Sequence, residues 1–366
     1  MKSLVYLTES QGAGSRVLQA LNSLYVIEEI SVAKVTADDL KESGFLLIDL
    51  AEMRESSLDR LRALLPFNPD TPSAALINVF KRQEVVQMKA LGIPTFWDRG
   101  TSEETIIADI KKQFGSYGMP QLEPSVPEAT AKAIEDVCQV YERLSIAYAL
   151  GKPLPLKAAG NAIESVIGAI NMDGLAAWLD AVEGHHSQTI CHSLSVMGLV
   201  VQFSKMLALT DVERLLLGLG ALYHDLGKLK IPLAVLDKPG ALTPDERALI
   251  NMHPKYGEEI LEQHPEVPPV VRAMTLNHHE FLDGTGYPNG LSGDAISRPV
   301  RLLTICDIFS ALSEKRSYKE PMSPRQAFGI LWEMGDKLDR SLLSAFKDLI
   351  LSVDVGAVKN QSYEAV

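Results

Sequence analysis

All eight histidines of the chain fall between His185 and His279. The first with an obvious chemical neighbour is His224, followed by Asp225, at the end of the apolar run Leu215 to Leu222. A histidine and an aspartate at the end of a buried helix cost desolvation energy unless something compensates both. A metal ion does so, because an imidazole offers one nitrogen and a carboxylate has two oxygens that can bridge two ions. Lys228 stands three residues beyond Asp225 and so shares a helix face with it, where its ammonium can reach a phosphate held at the metal. Gly227 permits close approach of backbone or substrate.

A second cluster reads Asn277-His278-His279-Glu280, then Asp283-Gly284-Thr285-Gly286-Tyr287-Pro288. Adjacent helical residues point about 100° apart, so one histidine pair can serve two neighbouring ions. The glycines and Pro288 impose a tight loop after it. His253 precedes Pro254, Asp307 interrupts an apolar helix over 302–312, and His192 begins another over 192–207. The resulting set is His192, His224, Asp225, His253, His278, His279 and Asp307. It holds nitrogen and carboxylate ligands only, which suits iron, manganese, zinc or nickel. It also exceeds the needs of one ion. That favours a two-metal centre, with ions about 3.5–4 Å apart clamping a phosphate during in-line displacement. His185, His186 and His264 read as surface or loop residues.

These residues need elements to position them. A chain of 366 residues suits two domains and a connector. Over 1–115, the short apolar runs Leu4 to Leu7, Tyr25 to Ile27, Phe45 to Ile48, Ala74 to Val79 and Pro94 to Trp97 read as strands. They alternate with helix-like segments such as Ser15 to Leu21 and Ser57 to Leu65. That alternation implies a parallel sheet covered on both faces. Gly118, Pro120, Pro124 and Pro127 mark a linker over 116–127. From 128 to 366 the pattern is helical, with a metal core over about 185–320. Ile134, Val137, Tyr141, Leu144 and Tyr148 form one stripe, which reads as a helix packing on its own domain and, in a homodimer, as the candidate seam.

Composition narrows the function classes. At 46% hydrophobic and 22% charged residues the chain is globular, not disordered, collagen-like or disulfide-stapled. Its formal net charge of −12 argues against a nucleic-acid polymer as partner but permits a small phosphate ligand held by local cations. Cys138, Cys191 and Cys306 are odd in number and show no paired spacing, as expected in a reducing cytoplasm. No segment has the length of a membrane span, and the apolar run after Met1 is too short for a signal-peptide core. A soluble cytoplasmic protein is expected.

From about His192 to Lys319 the chain resembles the HD-GYP family, a branch of the HD superfamily of metal-dependent phosphohydrolases. The resemblance rests on an ordered series: His224-Asp225-Leu226-Gly227-Lys228, Ile231-Pro232, Leu236 to Gly240, His253-Pro254, His278-His279-Glu280, Asp283 to Pro288, Asp307 and Arg316-Ser317-Tyr318-Lys319. It implies an all-α domain that hydrolyses the bacterial second messenger cyclic di-GMP to linear pGpG, in some members onward to GMP. The seven residues named above match the family's metal ligands, for two divalent ions, iron or manganese ahead of zinc or nickel. Lys228 matches a lysine on the scissile phosphate, and Arg316 and Lys319 match cations that hold the ligand's phosphates. Gly286, Tyr287 and Pro288 match the loop lining the nucleotide pocket. Gln188 stands where some members carry a glutamate for a third metal, so two metals are expected. Ser195 replaces an arginine common in the family.

Residues 1–115 resemble a receiver domain of the flavodoxin-like α/β class. Asp49 ends the third strand, where receivers place the phosphoacceptor. Thr8-Glu9 stands for the acidic pair, Arg99 for the lysine, and Asn78 or Val79 for the serine or threonine. Such replacements hold magnesium and a phosphoryl group poorly. A degenerate receiver that mediates contacts with a protein partner is expected, with Asp49 a vestigial phosphoacceptor. Two other functions fit the same residues: a weak or inactive cyclic di-GMP sensor or scaffold, and a hydrolase of another cyclic dinucleotide.

Overall fold

The computed structural model describes residues 3–9, 17–18, 21, 25–41, 43–67, 69–114, 122–183, 188–236, 238, 240–314 and 321–363. The chain forms two compact units, Met1–Tyr117 with Ala149–Lys152, and Gly118–Tyr148 with Pro153–Val366.

The first unit is built on five parallel strands, β1 (Ser3–Thr8), β2 (Ile27–Ser31), β3 (Ser43–Asp49), β4 (Ser73–Ile77) and β5 (Thr95–Asp98). Their order is β2-β1-β3-β4-β5, that of flavodoxin-like doubly wound sheets. Helices α1 (Ala37–Lys41), α2 (Glu55–Leu64), α3 (Arg82–Ala90) and α4 (Glu103–Phe114) alternate with the strands. The central strands β1 and β3 are buried at every position, as their unbroken apolar runs require when both faces of the sheet are covered. Two strand expectations shift. Tyr25 and Val26 precede β2, whose sequence Ile-Glu-Glu-Ile-Ser keeps the half-exposed character of a sheet edge and carries no apolar run. β4 stops at Ile77, because Asn78 turns the chain by accepting the Phe80 N–H on its side-chain oxygen at 3.0 Å.

The second unit is helical, with no strand among its described residues. Its helices are α5 (Glu128–Ala149), α6 (Leu156–Met172), α7 (Gly174–Glu183), α8 (Gln188–Met206), α9 (Asp211–Tyr223), α10 (Leu233–Leu236), α11 (Pro244–Ile250), α12 (His253–Glu262), α13 (Pro269–Asn277), α14 (Arg298–Ser313), α15 (Pro324–Glu333) and α16 (Arg340–Tyr363). Helix α8 is apolar on every side and runs through the core, where Leu194, Val196, Met197, Val200 and Phe203 are buried. Helix α9 starts at a reciprocal Thr210–Glu213 capping box. Ile134, Val137 and Leu144 of the α5 stripe are buried in this unit's own core, and the Tyr141 hydroxyl donates to Leu222 O at 3.1 Å. The stripe is therefore consumed by intramolecular packing, which corrects its reading as a dimer seam. No helix among the described residues is long and apolar enough to cross a membrane.

Candidate metal centre

The centre forms where helix ends meet. His224 caps the C-terminus of α9, His253 opens α12, and His278 caps the C-terminus of α13. The last turns of a helix leave carbonyl oxygens without intrahelical partners. Each of these imidazoles occupies one with Nδ1, three residues back: His224 with Ala221 O at 2.7 Å, His253 with Ile250 O at 2.7 Å and His278 with Thr275 O at 2.9 Å. A carbonyl only accepts, so the proton sits on Nδ1 and Nε2 faces the centre.

Asp225 and Lys228 follow His224 on a tight turn. A Cβ on Gly227 would lie 1.9 Å from His253 O, so only glycine lets this turn rest on the start of α12. The close approach foreseen at Gly227 is thus to backbone. Asp307 comes from the middle of α14 and His192 from the first turns of α8. Seven side chains foreseen as ligands come together in two groups joined by a carboxylate. Ligand atoms of His253, His278 and His279 lie within 4.8 Å of one another, as do those of His192, His224 and Asp307. Asp225 stands between them, Oδ1 at 3.2 Å from His253 Nε2 and Oδ2 at 3.3 Å from His224 Nε2. Both members of the adjacent pair, His278 and His279, fall in the same group.

Three features fit bound cations. His224 Nε2 is buried without a hydrogen bond, since its approach to Asp225 lacks hydrogen-bonding geometry. His253 and His278 face each other Nε2 to Nε2 at 3.1 Å, although both rings carry their proton on Nδ1. His192 Nε2 lies 2.9 Å from Asp307 Oδ1, a pairing that needs a proton or a metal between them.

Charge follows the same layout. Burial pushes the His253 pKa down to about 3 and that of His279 to about 4, against weaker upward pulls from Asp225 and Asp307. Burial, helped by the neighbouring imidazoles, also drives His278 far down. Burial would raise Asp225, but the Lys228 ammonium and the adjacent imidazoles outweigh it and hold the carboxyl well below its usual range. His192 moves the other way. Burial lowers it, yet the Glu314 and Asp307 carboxylates win and push it up to about 10.

Around the ligands, Lys228 Nζ meets Asp225 Oδ2 at 2.6 Å. Tyr287 stacks on His279 with ring centroids 4.7 Å apart. Glu280, quoted in the motif but given no role there, is buried and accepts the Asn289 N–H at 2.6 Å and the Leu291 N–H at 3.0 Å, which ties down the loop bearing Tyr287 and Pro288. Gly286 is needed in that loop, because a Cβ there would meet the His279–Phe281 backbone at 2.5 Å. Glu314 went unnoticed in the sequence. It meets His192 Nδ1 at 2.9 Å, and no spacing signal links residues so far apart. His264 sits outside the centre, 3.5 Å from Glu266. Arg316, Lys319, His185, His186 and the side chain of Gln188 lie outside the described residues.

In the first unit, both oxygens of Asp49 are taken. Oδ2 accepts from the Tyr6 hydroxyl at 2.8 Å and from Arg99 Nη1 at 3.0 Å, while Oδ1 accepts from the Ala51 N–H at 2.8 Å and from Arg99 Nη2. Glu9 pairs with Arg54 at 3.3 Å.

Residues 175–342 match the protein family described as HD domain. A cyclic di-GMP phosphodiesterase of Pseudomonas aeruginosa is 35% identical over 170 residues, 46% of this chain and 41% of its own. A 3'3'-cGAMP-specific phosphodiesterase of Vibrio cholerae is 38% identical over 167 residues, 45% of this chain and 36% of its own. The cyclic di-GMP phosphodiesterase response regulator RpfG of Xanthomonas campestris is 36% identical over 165 residues, 45% of this chain and 43% of its own. The chain thus spans about two fifths of the length of these relatives.

Proposed function

Because its C-terminal unit belongs to the HD-GYP branch of the HD-domain family, we propose that this protein is a two-metal phosphodiesterase that hydrolyses cyclic di-GMP to linear pGpG. The observation that carries this reading is the convergence of imidazole Nε2 atoms and the Asp225 carboxylate, with Lys228 on the same aspartate. When bound, two divalent cations, iron or manganese first, supply Lewis-acid charge to the phosphodiester and acidify the attacking water. His253, His278 and His279 would hold one and His192, His224 and Asp307 the other, with the Asp225 carboxylate available to both. Lys228 neutralises charge that grows on the scissile phosphate. Arg316 and Lys319 hold the ligand's phosphates, and Gly286, Tyr287 and Pro288 form the wall beside the base. Water adds to one phosphorus, its P–O3′ bond breaks, and the 3′-oxygen leaves with a proton; the second phosphodiester stays intact in pGpG.

A second substrate is favoured by one observation. A relative at 38% identity is named for 3'3'-cGAMP, as close as those named for cyclic di-GMP. The shared chemistry is a guanine-bearing cyclic dinucleotide. Residues 1–115 serve as a receiver-like contact module for a protein partner, joined by a linker over 116–127 to the domain at 128–366. Asp49 is a vestigial phosphoacceptor there, since Tyr6 and Arg99 occupy Oδ2 and Arg99 with the Ala51 N–H occupies Oδ1. Cysteines that are odd in number and show no paired spacing suit a cytoplasmic enzyme.

The test is product analysis by chromatography, with cyclic di-GMP and 3'3'-cGAMP, in manganese or ferrous iron. Metal-dependent pGpG that disappears in the His224→Ala/Asp225→Ala protein is expected. Binding of intact cyclic di-GMP without turnover in either metal would make the protein a sensor instead.

A further inference from the structure

His192 is held differently from three of its fellow imidazoles. His224, His253 and His278 give Nδ1–H to a backbone carbonyl of the preceding turn, so their aim is part of the secondary structure. His192 depends on side chains. Its Nδ1 meets Glu314 Oε1 at 2.9 Å and lies 3.4 Å from Ser310 Oγ, and that hydroxyl donates to the same carboxylate oxygen. Asp307, Ser310 and Glu314 are spaced by three and four residues, which places them along one side of α14 and its end. A single helix therefore brings one carboxylate to each nitrogen of the same imidazole, Asp307 on Nε2 and Glu314 on Nδ1. The Glu314 side chain is only 11% exposed, so its charge is kept in place by what it binds.

We propose that Glu314 is the positioning residue for His192. It accepts the Nδ1 proton, turns Nε2 toward the cation position shared with His224 and Asp307, and is itself steadied by Ser310. This rests on the two-metal reading above and adds an asymmetry to it. At the position of His253, His278 and His279, two of the three imidazoles are aimed by backbone carbonyls. At the other, His224 is aimed in the same way and His192 through a side chain at the end of α14, two residues before Arg316.

The full chain is stripped with chelator and titrated with Mn2+ by calorimetry, and bound metal is counted after equilibrium dialysis. Wild type, Glu314→Gln, Glu314→Ala and His192→Ala are compared, with the thermal unfolding of each metal-free protein recorded. Wild type is expected to take up two equivalents. Glu314→Gln, which keeps the size of the side chain, is expected to keep one at wild-type affinity and to bind the other about 10–100-fold more weakly, the usual cost of losing an outer carboxylate behind a metal histidine. Glu314→Ala and His192→Ala should lose the same equivalent. The proposal is overturned if both Glu314 variants bind two equivalents as wild type does. It is equally overturned if they lose both together with a drop in metal-free stability, which is the behaviour of a merely structural residue. A wild-type chain that binds two equivalents but hydrolyses no cyclic dinucleotide overturns the proposed activity and leaves this inference standing.

Discussion

His253 and His278 confront each other Nε2 to Nε2 at 3.1 Å, and neither nitrogen can donate, because each ring spends its proton on a backbone carbonyl. Two lone pairs at that distance repel, and a divalent cation between them would convert the repulsion into two bonds. Metal binding would thereby be linked to the folding of the C-terminal unit. Mn2+ at 100 to 1,000 times its dissociation constant should add about 3–4 kcal/mol to the unfolding free energy. For a unit of this size that is about 5–15 °C in Tm. Differential scanning fluorimetry with and without EDTA measures it, and superimposable curves would remove the cation from this site.

Lys228→Ala should act on the rate. Its ammonium is the cation on Asp225 Oδ2, at 2.6 Å, and in the proposed reaction it meets charge that develops on the phosphate. Removing one such group costs about 10²–10³-fold in kcat. KM and the count of bound metal should change little, because the ligands themselves stay. Steady-state kinetics on cyclic di-GMP with parallel metal analysis checks this, and an undiminished kcat would take Lys228 out of the reaction.

What the sequence disclosed follows from how far apart the interacting residues lie. His224-Asp225 and His278-His279 were readable because the chemical types are adjacent, and the first pair also sits at the end of an apolar run. Asp307 was readable because a carboxylate in an apolar helix asks for a partner. β1 and β3 announced themselves by unbroken apolar runs, whereas β2 at the sheet edge carries Glu28 and Glu29 and no such run. Glu314 stayed hidden because its partner is 122 residues away, joined only by the packing of α14 on α8. The role of Glu280 stayed hidden for a different reason: it binds backbone N–H groups, which every residue but proline has.

Gly227→Ala should remove metal without touching a ligand. The new methyl group would sit 1.9 Å from His253 O and 2.5 Å from the Gly257 N, so the turn carrying Asp225 and the start of α12 must separate. Overpacking against backbone costs about 3 kcal/mol. The expected result is a lower Tm with loss of bound Mn2+ in dialysis. Full metal content in this variant would show that the two segments can part without disturbing His253.

Glu280→Gln should weaken substrate binding more than turnover. The carboxylate accepts one backbone N–H on each oxygen, from Asn289 and from Leu291. An amide offers one acceptor and sets its own NH2 against the other N–H. That leaves a buried donor unpaired, at about 1–3 kcal/mol. The loop holding Tyr287 and Pro288 loosens, so KM for cyclic di-GMP should rise about 10-fold, the equivalent of about 1.4 kcal/mol. A fall in kcat with KM unchanged would place Glu280 in the chemistry instead.

Arg99→Ala should destabilise the N-terminal unit in a pH-dependent way. Burial opposes ionisation of Asp49, but the Arg99 hydrogen bonds, the Ala51 N–H and the Tyr6 hydroxyl outweigh it and hold the carboxyl below its ordinary value. The folded state therefore binds fewer protons than the unfolded one. The stability that Asp49 contributes is complete above the unfolded pKa of about 3.9 and is lost as pH falls through the lower folded value. Breaking a buried pair by removing one partner costs about 3–5 kcal/mol. The Arg99 side chain is 33% exposed, so solvent screening reduces the expected loss at pH 7 to about 1–3 kcal/mol. The gap between wild type and Arg99→Ala should narrow below pH about 4. Urea titrations that follow the Trp97 indole N–H resonance at pH 7 and at lower pH report this unit directly, because that group is bonded to Asp109 within it at 2.8 Å. A gap that stays constant down to full protonation of Asp49 would mean that Arg99 stabilises the sheet by packing, not through the carboxylate.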